Sequence, residues 1–120
     1  MNKYANVDIS EDFISVSFDA GDEDIMSIGS RMNEICEEAY MNGYNWDAFF
    51  NCYLDQNAPE ILEVIESDPE AEMYSVFIEE VTDESAAIAR KLGQLIDDLF
   101  NNEDLIYRFL RDNAEEIEWD

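Results

Sequence analysis

The sequence predicts a single α+β domain, a small antiparallel sheet of two to four strands with about four helices packed against it. Three observations predict it. Two stretches alternate in hydrophobicity with a period of two, four others carry apolar stripes at helical spacing, and 120 residues that are 47% hydrophobic suffice for one core. The elements run β-α-α-(β)β-α-α with no internal repeat, low-complexity tract or flexible linker, which places the helices on one face of the sheet. Residues 1–11 read as a short polar lead-in and residues 12–120 as the domain.

From Asp12 to Ala20, Ile14, Val16, Phe18 and Ala20 point one way, and Ser15, Ser17 and Asp19 point the other, as in a half-buried strand. Gly21 breaks the strand. Asp22, Glu23 and Asp24 then place negative charge where a helix N-terminus is positive. A first helix is expected to run to about Asn42, burying Ile25, Ile28, Met32, Ile35, Cys36 and Ala39 and turning Arg31, Glu34, Glu37 and Glu38 outward. Gly43 is expected to end it through its freedom to adopt positive φ, and Asn45 to cap a second helix. That second helix carries the cleanest stripe in the chain: Trp46, Phe49, Phe50, Tyr53 and Leu54.

Proline is welcome only in a first helical turn, so Ala58-Pro59 marks a break and a fresh short helix. Its Ile61, Leu62 and Ile65 face inward, while Glu60, Glu63 and Glu66 line up outward. Ser67 to Ala71 is a turn, and residues 64–67 are a candidate short strand hairpinned onto a strand from Met73 to Val81. Tyr74, Val76 and Ile78 share one face of that strand. Thr82 or Asp83 caps a third long helix with Ile88, Leu92, Leu95, Ile96 and Leu99 inward. Asn102 is expected to cap a fourth, with Leu105, Ile106, Phe109, Leu110 and Ile117 inward, and the tail from Glu115 either prolongs it or forms an edge strand.

Charge dominates the composition. Six Lys and Arg stand against 31 Asp and Glu, a net −25 with no histidine. Carboxylates crowded within a Debye length, about 8 Å at physiological salt, repel one another and oppose folding. Such a field argues against nucleic acid and anionic membranes as partners and favours something basic; the alternative is a merely solubilising coat. No apolar stretch approaches the roughly 20 residues of a membrane span, and the first residues lack a secretory pattern. A cytoplasmic location is therefore expected. Cys36 and Cys52 lack CxxC spacing and read as buried free thiols rather than a disulfide.

Without histidine, Ser-His, Cys-His and His-metal chemistry is excluded, and two lone cysteines cannot close a zinc site. No GxxxxGK[ST] or GxGxxG motif is present to cradle phosphate. Asp22-Glu23-Asp24 lacks the ligand alternation, central glycine and terminal glutamate of a calcium loop. A non-enzymatic chain without cofactor or metal is the expectation. A carboxylate-based hydrolase is the enzyme alternative, and it would need a cleft that raises one carboxyl pKa.

The acidic runs are the binding candidates. Glu60, Glu63 and Glu66 form a ladder on one helix flank, and Asp68, Glu70 and Glu72 extend it through the turn. Asp97, Asp98, Glu103 and Asp104 form a second cluster, and residues 112–120 a third. Each such run alone is usually a solvated face, but together they would speed encounter with a basic partner. Affinity needs a desolvated anchor as well, for which Tyr44 in Tyr44-Asn45-Trp46 is the candidate; Trp46 itself reads as core.

The stretch Gly43-Tyr44-Asn45-Trp46 through Phe49-Phe50 and Leu54 to Ala58-Pro59 resembles the immunity protein 51 family of bacterial polymorphic toxin systems. So does Asp68-Pro69-Glu70-Ala71-Glu72-Met73-Tyr74, with Leu95-Ile96 and Asn102-Glu103-Asp104-Leu105 further on. The resemblance spans about residues 12–119, and its motifs are structural rather than catalytic. Glu72 departs from it, standing where a small residue is usual. The resemblance implies a protein that binds and neutralises a cognate toxin domain, with Trp46 and Pro69 structural and Glu70 a candidate contact. A basic toxin groove occluded by the acidic surface, with the chain a monomer or weak homodimer, is the leading expectation. An acidic adaptor or nucleic-acid mimic that binds a basic host or phage protein is the alternative.

Overall fold

Alternation of Ile14, Val16 and Phe18 with serines produces the central strand of the sheet, and its apolar face is sealed. In the computed structural model, which describes residues 3–120, a four-stranded antiparallel sheet is built from β1 (Asn6–Ile9), β2 (Ile14–Asp19), β4 (Met73–Ile78) and β3 (Glu66–Ser67), in that spatial order. Five helices accompany it: α1 (Glu23–Ile35), α2 (Gly43–Asn57), α3 (Pro59–Leu62), α4 (Asp83–Phe100) and α5 (Glu103–Asn113). Among these, α2 packs on β4 and α4 on β2 and β1, while α1 and α5 pack on each other. Val16 pairs with Val76 and Phe18 with Tyr74, so apolar side chains meet across the two middle strands. The opposite face, with Ser15, Ser17 and Ser75, stays half-exposed. No helix among the described residues is long and apolar enough to cross a membrane.

Aromatic rings bind these layers. Phe18 stacks on Tyr74 at 4.9 Å between centroids and meets Trp46, Phe50 and Phe100 edge-on at 5.6, 5.9 and 5.1 Å. The α2 stripe is buried as its spacing requires: Trp46, Phe49, Phe50 and Leu54 are all sealed, and Tyr53 is half-buried. Trp46 is therefore core.

Several boundaries differ from the sequence expectation, each for a physical reason. The polar lead-in contains strand β1, whose Val7 and Ile9 lean on the core while Asn6 and Asp8 face solvent. Asp97 holds the approach to that strand. Its buried carboxylate accepts the backbone N–H groups of Tyr4 and Ala5 at 3.1 and 2.9 Å, and that of Lys3 as well. Helix α1 ends at Ile35, about seven residues early, with Cys36 extended. Glu34, Glu37 and Glu38 crowd the negative end of its dipole and no basic residue offsets them. The Asn33 amide closes that end by donating to the Glu37 carbonyl at 3.1 Å, and the chain then folds back until Met41 rests on Gly29. Cys36 and Cys52 are free, as expected, but half-buried rather than buried.

Gly43 opens α2 rather than closing α1, and no glycine among the described residues has positive φ. The cap is Asn42, whose Oδ1 accepts the Asn45 N–H at 2.9 Å; Asn45 instead donates to the Tyr40 carbonyl at 2.8 Å. Strand β4 stops at Ile78 and not Val81, and β3 is reduced to Glu66–Ser67. Glu72 fits its turn without positive φ, so no small residue is needed there. Thr82 caps α4 in a reciprocal pair with Ser85. Asn102 precedes α5 but makes no cap bond; its amide donates back to Asp98 of α4 at 2.7 Å. Leu105 is 46% exposed, because Tyr107 takes its place on the buried face beside Ile106 and Leu110. The tail is neither helix nor strand. Ile117 is buried, and the Asp120 N–H donates to Asn45 Oδ1 at 2.7 Å, clasping the tail to α2.

A Cβ on Gly43 would lie 1.7 Å from the Glu70 carbonyl oxygen and 2.4 Å from that of Met73. Alanine is favoured over glycine in a helix by up to about 1 kcal/mol, but both obstacles are backbone and cannot rotate away. Gly43→Ala should therefore lower stability by about 2–3 kcal/mol. Urea unfolding checks this; an unchanged or raised midpoint would refute the close-approach role of this glycine.

Candidate protein-binding site

Only three ion pairs form among the described residues: Lys3–Asp24 at 3.7 Å, Lys91–Glu60 at 3.4 Å, and Arg31–Glu103. All three are exposed and contribute little to stability. With 31 acids in the chain, most of the anionic surface has no internal counter-charge.

The fold divides the predicted contact residues among distinct places. Glu63, just after α3, and Glu66, on edge strand β3, come together at one groove of about 580 Å³. The β3–β4 register, Glu66 opposite Phe77, brings against them Glu79 and Glu80 after β4 and Glu84 in the first turn of α4. Val64, Ile78 and Ile88 give this groove apolar surface, and no Lys or Arg lines it. Five carboxylates thus surround an apolar bed. Glu60 lies nearby in sequence, but Lys91 holds it. Asp68, Glu70 and Glu72 are exposed around the following turn; the Asp68 N–H donates to Ser75 at 2.9 Å, and Glu70 bridges to Met73.

Tyr44 stands elsewhere. It is 41% exposed and lines a second groove, about 530 Å³, together with Asp47, Pro69 and the tail residues Glu116, Glu118, Trp119 and Asp120. Gln56 ties the base of the tail to α2, donating to Asn113 Oδ1 at 2.9 Å and Glu116 Oε2 at 3.2 Å.

The grooves contain residues that sequence reasoning did not select. Glu79 and Glu80 were visible only as an adjacent acidic pair in an expected strand, and Glu84 as ordinary first-turn charge. Trp119 belonged to a tail without a clear period. The second acidic cluster dissolves on folding: Asp97 is a buried anchor for the β1 approach, Glu103 pairs with Arg31, and Asp98 accepts from Gln94 at 2.9 Å. Among the described residues no three Cys, Asp or Glu converge as a metal site would require.

The surroundings of Asp47 shift its carboxyl. Burial disfavours its charged form and raises its pKa, and the nearby Ser67 and Asn51 offset this only in part. Its Oδ1 is sealed from solvent with no donor, while Oδ2 accepts from Asn51 at 3.3 Å. The same charge adds to burial in pushing the Tyr74 hydroxyl up. A carboxyl raised above its unfolded value stabilises the fold below that value, and this contribution is lost as pH rises through the folded pKa. Ionised Asp47 therefore costs stability at neutral pH. Asp47→Asn should raise the melting temperature at pH 7, and the gain should vanish well below the ordinary carboxyl pKa of 3.8. Thermal unfolding of both proteins across pH decides it; an Asn variant less stable at pH 7 would contradict the desolvation account.

Comparison with curated proteins and with solved structures gave no significant match. The profile of the family described as immunity protein 51 matches residues 7–115, nearly the whole domain from strand β1 to the end of α5. The chain belongs to the immunity protein 51 family.

Proposed function

We propose that this chain is the immunity partner of a toxin domain with a basic surface, and that it neutralises the toxin by seating its anionic face over that surface. The observation that carries the reading is the groove rimmed by Glu63, Glu66, Glu79, Glu80 and Glu84 with no cation among its lining residues. In the free protein these carboxylates repel one another within a Debye length of about 8 Å. A basic partner relieves the repulsion, so the cost of assembling the groove returns as binding energy. Val64, Ile78 and Ile88 supply apolar surface for the partner to desolvate. Family membership supports the same reading.

The exposed rim acts mainly on encounter. Complementary fields carry association rates toward 10⁸–10⁹ M⁻¹s⁻¹, against about 10⁵–10⁶ M⁻¹s⁻¹ without steering. A toxin whose active site is a basic groove for phosphates would be both attracted and occluded. An acidic adaptor or nucleic-acid mimic would present similar charge, and the proposed partner distinguishes it.

Co-expression with the cognate toxin domain should restore growth and yield a one-to-one complex. The combined changes Glu63→Lys, Glu66→Lys and Glu79→Lys, all on exposed side chains, should slow association at least roughly tenfold while leaving the fold intact. Continued toxicity with wild-type chain present would sink the immunity reading. Unaltered association by the triple variant would remove the glutamate groove from the docking face.

A further inference from the structure

We infer that the cleft between α1 and the segment returning from it to α2 is the anchor point of the proposed interface, and that Tyr40 at its edge packs into an apolar patch of the basic toxin domain. The inference rests on the reading that the partner is a basic protein, and it adds which side chains resist its release. The cleft measures about 310 Å³. Buried Ala20 and Gly29 line it, together with Met26, Met41 and Tyr40. Met26 is 57% and Tyr40 71% exposed, the two highest values among the large hydrophobic residues described. Single apolar side chains on a surface are ordinary. These two share one cleft with half-buried Met41 and so form a continuous patch.

A second observation distinguishes Tyr40. Its backbone is pinned while its ring stands in solvent. Ala39 before it is fully buried, and the Tyr40 N–H donates to the Glu38 carbonyl at 2.9 Å. The Tyr40 carbonyl accepts the Asn42 N–H at 2.9 Å and the Asn45 amide at 2.8 Å. A tyrosine has only two side-chain torsions, so a ring presented on a fixed backbone leaves little ordering to be done when a partner arrives.

The occupant follows from charge. Glu72 lines the cleft, Glu37 and Glu38 are exposed just before Tyr40, and no Lys or Arg lines it. A second copy of this chain would set −25 against −25, and a nucleic acid or anionic membrane would be repelled likewise. A basic protein surface with an apolar centre matches both features: its cations meet the carboxylates, and its apolar atoms desolvate Tyr40. The cleft is also within reach of the glutamate groove. Glu72 directly precedes β4 and Ile78 ends it, which sets the two sites at opposite ends of a six-residue strand, about 20 Å apart. A standard interface, about 800 Å² per partner, is wide enough to cover that distance. The two contacts then have separate tasks. Exposed carboxylates speed arrival, and a desolvated aromatic slows departure.

The test binds the whole chain, carrying ¹³C-labelled methionine methyls, to the cognate toxin domain. The Met26 and Met41 methyl resonances should shift on complex formation, while that of fully buried Met32 serves as internal control. Tyr40→Ala, at an exposed position, should raise the dissociation rate roughly tenfold and change the association rate less than about threefold, the reverse of the pattern for lysines in the glutamate groove. Wild-type dissociation by Tyr40→Ala, or unmoved Met26 and Met41 methyls in a complex that forms, would overturn the anchor and leave charge capture in place. A free chain that sediments as a dimer, and as a monomer after Tyr40→Ala, would assign the cleft to a second copy and overturn it as well. If wild-type chain and toxin form no complex, the proposed function falls together with the anchor.

Discussion

The fold depends on one buried set of rings. Phe18 from the sheet, Trp46 and Phe50 from α2, Tyr74 from β4 and Phe100 from α4 meet within 4.9–6.5 Å of one another in the pairs that touch. Each element contributing a ring is thereby fixed to the others. Such pairs are worth about 0.5–1.5 kcal/mol apiece beyond the area they bury. They oppose the self-repulsion of a surface with net charge −25, which no arrangement of six cations could neutralise. The aromatic packing offsets part of the repulsion of this anionic exterior.

Residues with short-range signatures were legible before folding. The alternation from Ile14 to Phe18 located β2, the Trp46–Leu54 stripe located α2, Ala58-Pro59 located the break before α3, and Thr82 located the start of α4. What escaped depends on contacts between distant parts of the chain. Strand β1 has only Val7 and Ile9 as apolar evidence, and it is held by β2 and by Asp97, some ninety residues away. The role of Gly43 depends on the carbonyls of Glu70 and Met73, and that of Asn45 on Asp120. The candidate site divides in the same way. Glu63, Glu66 and Tyr44 could be selected as exposed charge or as an aromatic beside a helix start. Their companions Glu79, Glu84 and Trp119 become neighbours only through the hairpin register and the folded-back tail.

The β3–β4 hairpin contributes to both grooves. Its strands set Glu66 against Glu79 and Glu80 at one groove, and its turn delivers Pro69 to the other. Gly43 lets the turn lie directly on the start of α2, the same helix end that presents Tyr44. Family membership gives the class of protein, and the glutamate groove is where the proposed capture of a basic partner would begin.

Capture by charge has a consequence that no ordinary solubilising coat shares. Screening should act in opposite directions on the folded chain and on its complex. Salt shields carboxylates from one another and also shields them from the partner. Measuring unfolding free energy and toxin affinity in parallel at about 50 mM and about 500 mM NaCl exposes both effects, across Debye lengths of roughly 14 and 4 Å. The account predicts a chain that becomes more stable and a complex that becomes weaker as salt rises. A complex whose affinity holds or increases over that range would show that the anionic face is not what grips the toxin.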